Sequence, residues 1–218
     1  MKLEDLTNLK YSLLNLFPTP VYIAEAEGNT LDNIQDEMML VYGDLMERGF
    51  FQVKEGWNTH KLSDPSFTGN LFQHYDFRYF LEFLDKHLQS YLFRHGVVGE
   101  QEFIVNESWM TLTQHKDYAH IHNHGMSNIS GCYYIQTNGN DGDFTIPCTQ
   151  KPLEMQAKIF PNLAKRLTIP PKVGRLILFP GWMDHGIKTN TTESDRVSIS
   201  FNISVKDKEK NVVDCYAR

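Results

Sequence analysis

Cysteine is scarce in this chain, and long apolar runs are absent from it. The 218 residues include three cysteines, Cys132, Cys148 and Cys215, with no Cys-x-x-Cys spacing. An odd, scattered set of this kind argues against a disulfide framework and favours a reducing compartment. No apolar run approaches the roughly 20 residues that span a bilayer, and the N-terminal stretch lacks the small-residue cleavage site of a signal peptide. We therefore expect a cytoplasmic protein without a transmembrane segment.

Basic residues are fewer than acidic ones. The chain contains neither repeats nor low-complexity tracts. Lys and Arg number 21 against 27 Asp and Glu, which gives a net charge of −6 and argues against a nucleic-acid partner. Hydrophobic residues make up 41% of the chain and aromatic residues 12%. These fractions are sufficient for a folded core and too high for a disordered chain. We expect one globular domain over residues 1–218.

Helical spacing of apolar residues marks two helices in the first part of the chain, after an early strand. The first helix is predicted from Leu31 to Arg48, with Asn29 or Thr30 as its N-cap. A second apolar stripe begins after Asp76 and ends before Gly96, a residue type suited to a helix C-terminus. We expect both helices to pack against a sheet and to support it.

Beyond these helices the pattern changes to short alternating segments. Segments such as ISGCYYIQT, GRLILFP and RVSISFNISV are separated by turn residues. This arrangement is typical of an antiparallel β-sandwich or barrel. The sequence therefore predicts a mainly β protein with flanking helices: the supporting helices within residues 1–100, a strand core over 101–206 and a tail at 207–218.

Three histidines in alternate positions form the most unusual feature of the sequence. His120, His122 and His124 lie in AHIHNHG, and His185 follows far downstream in GWMDHGI. Alternate side chains of a strand point to the same face, and clustered imidazoles suit a transition-metal ion such as Fe(II). A structural zinc site would need four ligands, and the cysteines are badly placed for it. Alternation alone does not decide whether His122/His124 or His120/His122 would join His185.

Arg196 begins another alternating segment, RVSISFNIS. It would share one face of a strand with Ser198, a second serine and Asn202, while the apolar residues between them would form the other face. A buried guanidinium needs a polar or charged partner, and it can bind a carboxylate through two parallel hydrogen bonds. The alternative is an exposed Arg196 that pairs with Glu193 or Asp195.

Taken together, HNHGMSNISGCYYI, GRLILFPGWMDHGI and DRVSISFN resemble the 2-oxoglutarate/Fe(II)-dependent oxygenase superfamily, and most closely its bacterial and phage branch. That branch carries H-x-H, S-G-x-Y-Y, F-P-x-W-x-x-H and R-x-S motifs in this order. The resemblance covers residues 103–205 and implies a double-stranded β-helix, or jelly roll, with flanking helices. It also implies an enzyme that couples oxidative decarboxylation of 2-oxoglutarate, to succinate and CO2, with hydroxylation of a substrate by O2.

The same resemblance implies the site residues. The Fe(II) positions are matched by His122, His124 and His185. The positions that hold the far carboxylate of 2-oxoglutarate are matched by Arg196, Ser198 and Tyr134. His124 is preferred to His120 because it precedes Ser130 by the six residues typical of the family. A histidine thus stands where the usual iron triad has a carboxylate, and the implied site is all-histidine.

Two other functions fit part of this pattern. A cupin-like dioxygenase would use three histidines for iron without 2-oxoglutarate, but it would leave the Arg-x-Ser motif without a role. A jelly-roll binding module would hold an incidental metal and catalyse nothing. The substrate cannot be read from the sequence: a small molecule and a protein side chain both fit. We expect the polar loops 50–75 and 139–165 to select it, and Trp109 and Trp182 to lie in the core or the pocket wall.

Overall fold

The protein is described by a computed structural model over residues 19–53, 61–63, 69–148 and 166–206. Two α-helices lie in the first part, α1 (Gly28–Glu47) and α2 (Arg78–Arg94), with a short 3-10 turn at Leu71–Gln73. The strands in chain order are β1 (Tyr22–Glu25), β2 (Phe51–Val53), β3 (Lys61–Ser63), β4 (Glu102–Thr113), β5 (Ala119–His122), β6 (Ile129–Gln136), β7 (Phe144–Ile146), β8 (Leu167–Ile169), β9 (Arg175–Pro180), β10 (His185–Ile187) and β11 (Arg196–Lys206).

The strands form two antiparallel sheets. The larger has seven strands in the order β1-β9-β6-β11-β4-β3-β2, and the smaller has four in the order β5-β10-β7-β8. From β4 onward the chain passes back and forth between the two sheets, with β7 and β8 both in the smaller one, and it thus winds as a double-stranded β-helix. The predicted mainly β architecture with supporting helices is confirmed.

Each face of the larger sheet is buried against a different layer. One face packs on α1 and α2, where residues such as Phe80, Tyr133 and Phe201 belong to one continuous apolar cluster. The opposite face meets the smaller sheet through a second cluster that includes Phe144 and Phe179. The central strands β6 and β11 are therefore buried on both faces, which explains their near-continuous apolar and small side chains. Since both helices pack on the outer face of the larger sheet, the space between the two sheets is open to a functional site.

The helix boundaries differ from the sequence prediction at the start of α1. This helix begins at Gly28 and its N-cap is Glu27, so the predicted start at Leu31 and the predicted caps Asn29 and Thr30 are wrong. The reason is that Gly28 adopts a φ of +52°, which turns the chain into the helix directly after β1. The N-cap of α2 is Phe77. The preceding residue, Asp76, accepts a hydrogen bond from the first backbone N–H of the helix at 3.1 Å.

No helix in the described part of the chain combines the length and apolarity needed to cross a membrane. The predicted tail 207–218 and much of the two predicted recognition loops, at 54–60, 64–68 and 149–165, lie outside the described residues. Cys215 lies outside them as well.

Candidate metal centre

Three histidines from two adjacent strands meet at one end of the space between the sheets. His122 ends β5 and His185 begins β10, and the two are register partners across this antiparallel pair. His124 lies two residues past β5, and its ring centre is 5.3 Å from that of His122 and 5.0 Å from that of His185. One nitrogen from each ring lies within 4.8 Å of the others. This is a spacing at which three imidazoles can share one ion.

His120 does not belong to this cluster, so the expectation that all three closely spaced histidines share one face is wrong. The register between β5 and β10 shifts by one residue: His185 pairs with His122, but Ile187 pairs with Ala119. This extra residue in β5 breaks the alternation. As a result Ala119 is buried, whereas the side chain of His120 is exposed and lies against Tyr118. The structure thus brings together His122, His124 and His185, the set that the family resemblance implied.

Backbone carbonyls orient two of the three rings. The Nδ1 atom of His122 lies 2.8 Å from the carbonyl oxygen of His120, and that of His185 lies 2.9 Å from the carbonyl of Met183. A carbonyl only accepts, so in both rings Nδ1 carries the proton and Nε2 presents a lone pair. Metal-binding histidines in proteins are commonly held in this way through their second nitrogen. The donor set therefore fits a transition-metal ion.

Burial keeps these imidazoles uncharged. Burial, together with repulsion from neighbouring histidines, lowers the pKa of His185 to about 3 and that of His124 to about 4. Burial also lowers the pKa of His122, against the opposing effects of the His120 carbonyl and of Asp184. Near neutral pH all three rings are therefore neutral. No carboxylate joins them among the residues that the structure describes; Asp184 accepts a hydrogen bond from Asn123 instead, at 2.8 Å.

Arg196 is almost completely buried, at 1% exposure, so the predicted inward orientation is confirmed and the exposed alternative is excluded. Its Nη1 donates to the carbonyl oxygens of Asp141 at 3.0 Å and Gly142 at 2.6 Å. Its Nη2 donates to the hydroxyl of Thr113 at 2.8 Å. The Nε atom, in contrast, has no hydrogen-bond partner within the described ranges. A buried N–H donor that the protein itself leaves unpaired is costly, which indicates a ligand.

One cavity joins this guanidinium to the histidines. Its wall is formed by residues of both sheets, and the predicted site residues among them are His122, His124, His185, Arg196, Ser198 and Tyr134. The hydroxyl of Tyr134 is buried and, like the Arg196 Nε, has no nitrogen or oxygen partner in the described structure; the thiol of Cys132 beside it is only a weak hydrogen-bonding group. Burial raises its pKa well above the usual value, so the phenol keeps its proton and remains a donor. Two unpaired donors on one cavity wall fit a bound anion such as a carboxylate.

Several residues of this site could not be identified from the sequence pattern. Phe144 stacks on His185 with ring centres 5.2 Å apart and an interplanar angle of 15°, and Phe179 lies 4.6 Å away from the same ring. Thr113, which lies in none of the motifs, accepts a hydrogen bond from Arg196. Trp109 lines the cavity as predicted, but Trp182 is 58% exposed, so its predicted place in the core or pocket wall is wrong. It occupies the turn after β9, which directs its side chain to solvent.

The part of the chain that carries the site matches one family of known proteins. Residues 107–202 match the family model described as "Putative 2OG-Fe(II) oxygenase", a range that contains all six predicted site residues. No curated protein matches the chain.

Solved structures share the fold. A prolyl-4-hydroxylase from Pseudomonas putida is 12% identical over 94% of this chain and 97% of its own, with a TM-score of 0.58. SnoN, a non-haem α-ketoglutarate-dependent epimerase from nogalamycin biosynthesis, is 12% identical over 85% and 78%, with a TM-score of 0.60. HygX from Streptomyces hygroscopicus, solved with nickel, 2-oxoglutarate and hygromycin B, is 14% identical over 85% and 83%, with a TM-score of 0.52.

Proposed function

Because residues 107–202 match the family model described as "Putative 2OG-Fe(II) oxygenase", we propose that this chain is a 2-oxoglutarate/Fe(II)-dependent oxygenase. It would couple oxidative decarboxylation of 2-oxoglutarate, to succinate and CO2, with hydroxylation of a C–H bond of its substrate. The proposed Fe(II) ligands are His122, His124 and His185. The side chains proposed to hold 2-oxoglutarate are Arg196, Ser198 and Tyr134. The observation that carries this proposal is their common cavity, which combines three neutral imidazoles with two unpaired buried donors.

The three imidazoles would act as neutral ligands. Their pKa values lie below the ordinary value of 6.5, so no proton has to be displaced from a charged ring near neutral pH. When bound, Fe(II) supplies the electron-transfer chemistry that O2 activation requires and that no side chain provides. An all-histidine set adds no negative charge, so a dianionic keto-acid would meet no repelling carboxylate among the proposed ligands.

Arg196 would hold the far carboxylate of 2-oxoglutarate. Its Nη1 and Nη2 atoms are anchored by two backbone carbonyls and Thr113, which fixes the plane of the guanidinium before any ligand enters. The Nε–H and the hydroxyl of Tyr134 would then donate to the carboxylate oxygens. Ser198 lies on the same strand face as Arg196 and lines the same cavity, so its hydroxyl can add a further hydrogen bond. Such preorganisation reduces the entropy lost on binding.

Aromatic side chains would limit the access of water to the reacting groups. Phe144 and Phe179 pack against the ring of His185, and Trp109 lies 5.7 Å from the ring centre of His124. A site enclosed in this way strengthens the electrostatic interactions within it and protects reactive species from side reactions. The substrate is proposed to be a small molecule or a protein side chain, the two kinds of substrate suggested by the hygromycin B bound to HygX and by the name of the prolyl hydroxylase.

A substrate screen that measures succinate tests this function. The purified protein is incubated with Fe(II), O2 and pools of candidate metabolites or peptides, with and without 2-oxoglutarate. We expect a pool that raises succinate release and O2 consumption together, and we expect no turnover by His185→Ala. O2 consumption that does not require 2-oxoglutarate would instead support a three-histidine dioxygenase that binds its substrate directly.

A further inference from the structure

The third imidazole, His124, is held differently from the other two. Its Nδ1 lies 3.4 Å from the side-chain nitrogen Nδ2 of Asn202 rather than near a carbonyl oxygen. An amide nitrogen donates and does not accept, so the contact requires Nδ1 to be the acceptor and places the proton of His124 on Nε2. That Nε2 lies 3.3 Å from the Nε2 of His185, which presents a lone pair because its own proton is on Nδ1. In this arrangement His124 donates to His185.

The orientation of the Asn202 amide is fixed by its other neighbours. Asn202 is buried, with 3% exposure. Its Oδ1 accepts from the hydroxyl of Ser130 at 2.8 Å, and its Nδ2 donates to the Glu107 carboxylate at 2.7 Å. The reversed amide would place its oxygen against the carboxylate oxygen of Glu107, which is repulsive. Glu107 therefore selects the orientation that turns a donor toward His124, whereas the hydroxyl of Ser130, which can donate or accept, suits either orientation.

This orientation opposes the role of His124 as a ligand. To offer the lone pair of Nε2, His124 must carry its proton on Nδ1, and this N–H then needs an acceptor. The oxygen of the Asn202 amide can provide one if the amide turns by half a revolution, with Nδ2 then facing Ser130. Glu107 is exposed, so its carboxylate can move into solvent as the amide turns.

We propose that Asn202 is a positioning residue that controls the tautomer of His124. Its amide holds the Nε2–H form of His124 in the metal-free protein, and its oxygen accepts from Nδ1–H when His124 acts as a ligand. This inference rests on the proposed assignment of His124 to the metal. It makes the His124 side of the site, unlike the His122 and His185 sides, dependent on a rearrangement of a neighbouring side chain.

Long-range 15N–1H NMR of the histidine rings at pH 7.5 tests the tautomers directly. In the metal-free protein we expect the Nδ1–H form for His122 and His185 and the Nε2–H form for His124. Addition of Zn²⁺, which is diamagnetic, should convert His124 to the Nδ1–H form. A metal-free His124 that already carries its proton on Nδ1 would overturn the proposal.

Variants of Asn202 supply a second measurement, the affinity for Zn²⁺ in competition with a chelator. Asn202→Ala removes the acceptor and should weaken binding about 10- to 100-fold, as for other groups that orient a metal ligand. Asn202→Asp, combined with Glu107→Gln to remove the neighbouring carboxylate, presents an ionised side chain that only accepts. It should show the Nδ1–H form of His124 without metal and bind Zn²⁺ at least as tightly as Glu107→Gln alone.

The matched control is Asn106→Ala. Asn106 donates to the hydroxyl of Ser204 at 2.7 Å and joins the same two strands, β4 and β11, so its loss should leave Zn²⁺ affinity unchanged. Equal affinities of the wild type and Asn202→Ala would overturn the role of Asn202. A wild type that binds no Zn²⁺ at these histidines would instead refute the proposed ligands, and the tautomers of the metal-free protein would still decide how Asn202 orients His124.

Discussion

The guanidinium carbon of Arg196 lies 5.9 Å from the ring centre of Tyr134, and each side chain buries a polar atom that no described residue satisfies. Both atoms belong to residues that line the cavity of the three histidines. An unpaired buried donor costs about 1–3 kcal/mol of stability, and here two occur side by side. This pairing is the strongest structural indication that the cavity is built to hold an anion.

Replacement of Tyr134 by Phe should separate stability from ligand binding. Loss of the unpaired hydroxyl should raise the free energy of unfolding of the ligand-free protein, by up to about 1–3 kcal/mol. The same change should weaken 2-oxoglutarate binding about 10-fold or more, since a hydrogen bond to a charged group contributes about 1.5–3 kcal/mol. Urea denaturation and calorimetric titration measure the two effects.

The control is the adjacent residue. The hydroxyl of Tyr133 is also buried without a partner in the described structure, but its ring packs in the cluster beneath the helices. Tyr133→Phe should therefore stabilise the protein without changing 2-oxoglutarate affinity. Equal 2-oxoglutarate affinities for Tyr134→Phe and the wild type would exclude the phenol from the binding site.

Arg196→Ala should weaken 2-oxoglutarate binding by about 2–5 kcal/mol, the usual effect of truncating one partner of a buried charged pair. Arg196→Lys should also bind weakly, because an ammonium lacks the planar donors of a guanidinium. The alanine variant also loses the bonds to Asp141, Gly142 and Thr113, so the lysine variant, which keeps the charge, is the more informative of the two. Arg175→Lys, on β9 and paired with Glu25, is the control. An unchanged dissociation constant for Arg196→Lys would contradict the assignment.

The glycine of the S-G-x-Y-Y motif is required for packing. A Cβ atom at Gly131 would lie 2.6 Å from the ring of Phe201 and 2.8 Å from Leu178. Gly131→Ala should therefore destabilise the protein by about 1–3 kcal/mol through overpacking. Gly43→Ala, in the exposed interior of α1 where nothing lies within 4 Å, should stabilise it by about 1 kcal/mol. The denaturation midpoint should thus fall in Gly131→Ala and rise in Gly43→Ala. Midpoints that move in the same direction in both variants would contradict this explanation.

The low pKa values of the histidines predict an acid-sensitive metal-free protein. In the unfolded chain His185 and His124 titrate near 6.5, whereas in the folded protein their pKa values are about 3 and about 4. Between these limits the unfolded state binds more protons, so the free energy of unfolding falls as pH decreases from about 6.5 toward 3. Carboxylates titrate in the same window, so the comparison is with His185→Gln. Between pH 6.5 and pH 4 the free energy of unfolding should fall further for the wild type than for this variant. Equal decreases in the two proteins would contradict the prediction.

In the regular strands of this site, the side chains that face the cavity could be predicted from the sequence. In β11 the faces alternate as expected: Ser198 lines the cavity, whereas Val197 and Ile199 pack toward the helices. The prediction holds because β11 is buried on both faces, and a slip by one residue would expose apolar side chains. Alternation failed at His120, where a register shift opposite Gly186 of β10 reverses the face.

The hydrogen bonds between site residues and backbone carbonyls could not be predicted from the sequence. The partners of Arg196 include the carbonyls of Asp141 and Gly142, and the orientation of His122 depends on the carbonyl of His120. Every residue carries a carbonyl, so the sequence cannot show which one faces a side chain. The division of a single domain at residues 100 and 206 stays a prediction, as does the cytoplasmic location.

The most direct test of the site is the visible charge-transfer absorption of the protein with Fe(II) and 2-oxoglutarate in the absence of O2. This band requires metal and keto-acid to be bound together, and it needs no knowledge of the substrate. We predict that the wild type and His120→Ala show the band and that His185→Ala does not. A band that persists in His185→Ala, or that is missing from the wild type, would contradict the proposed site.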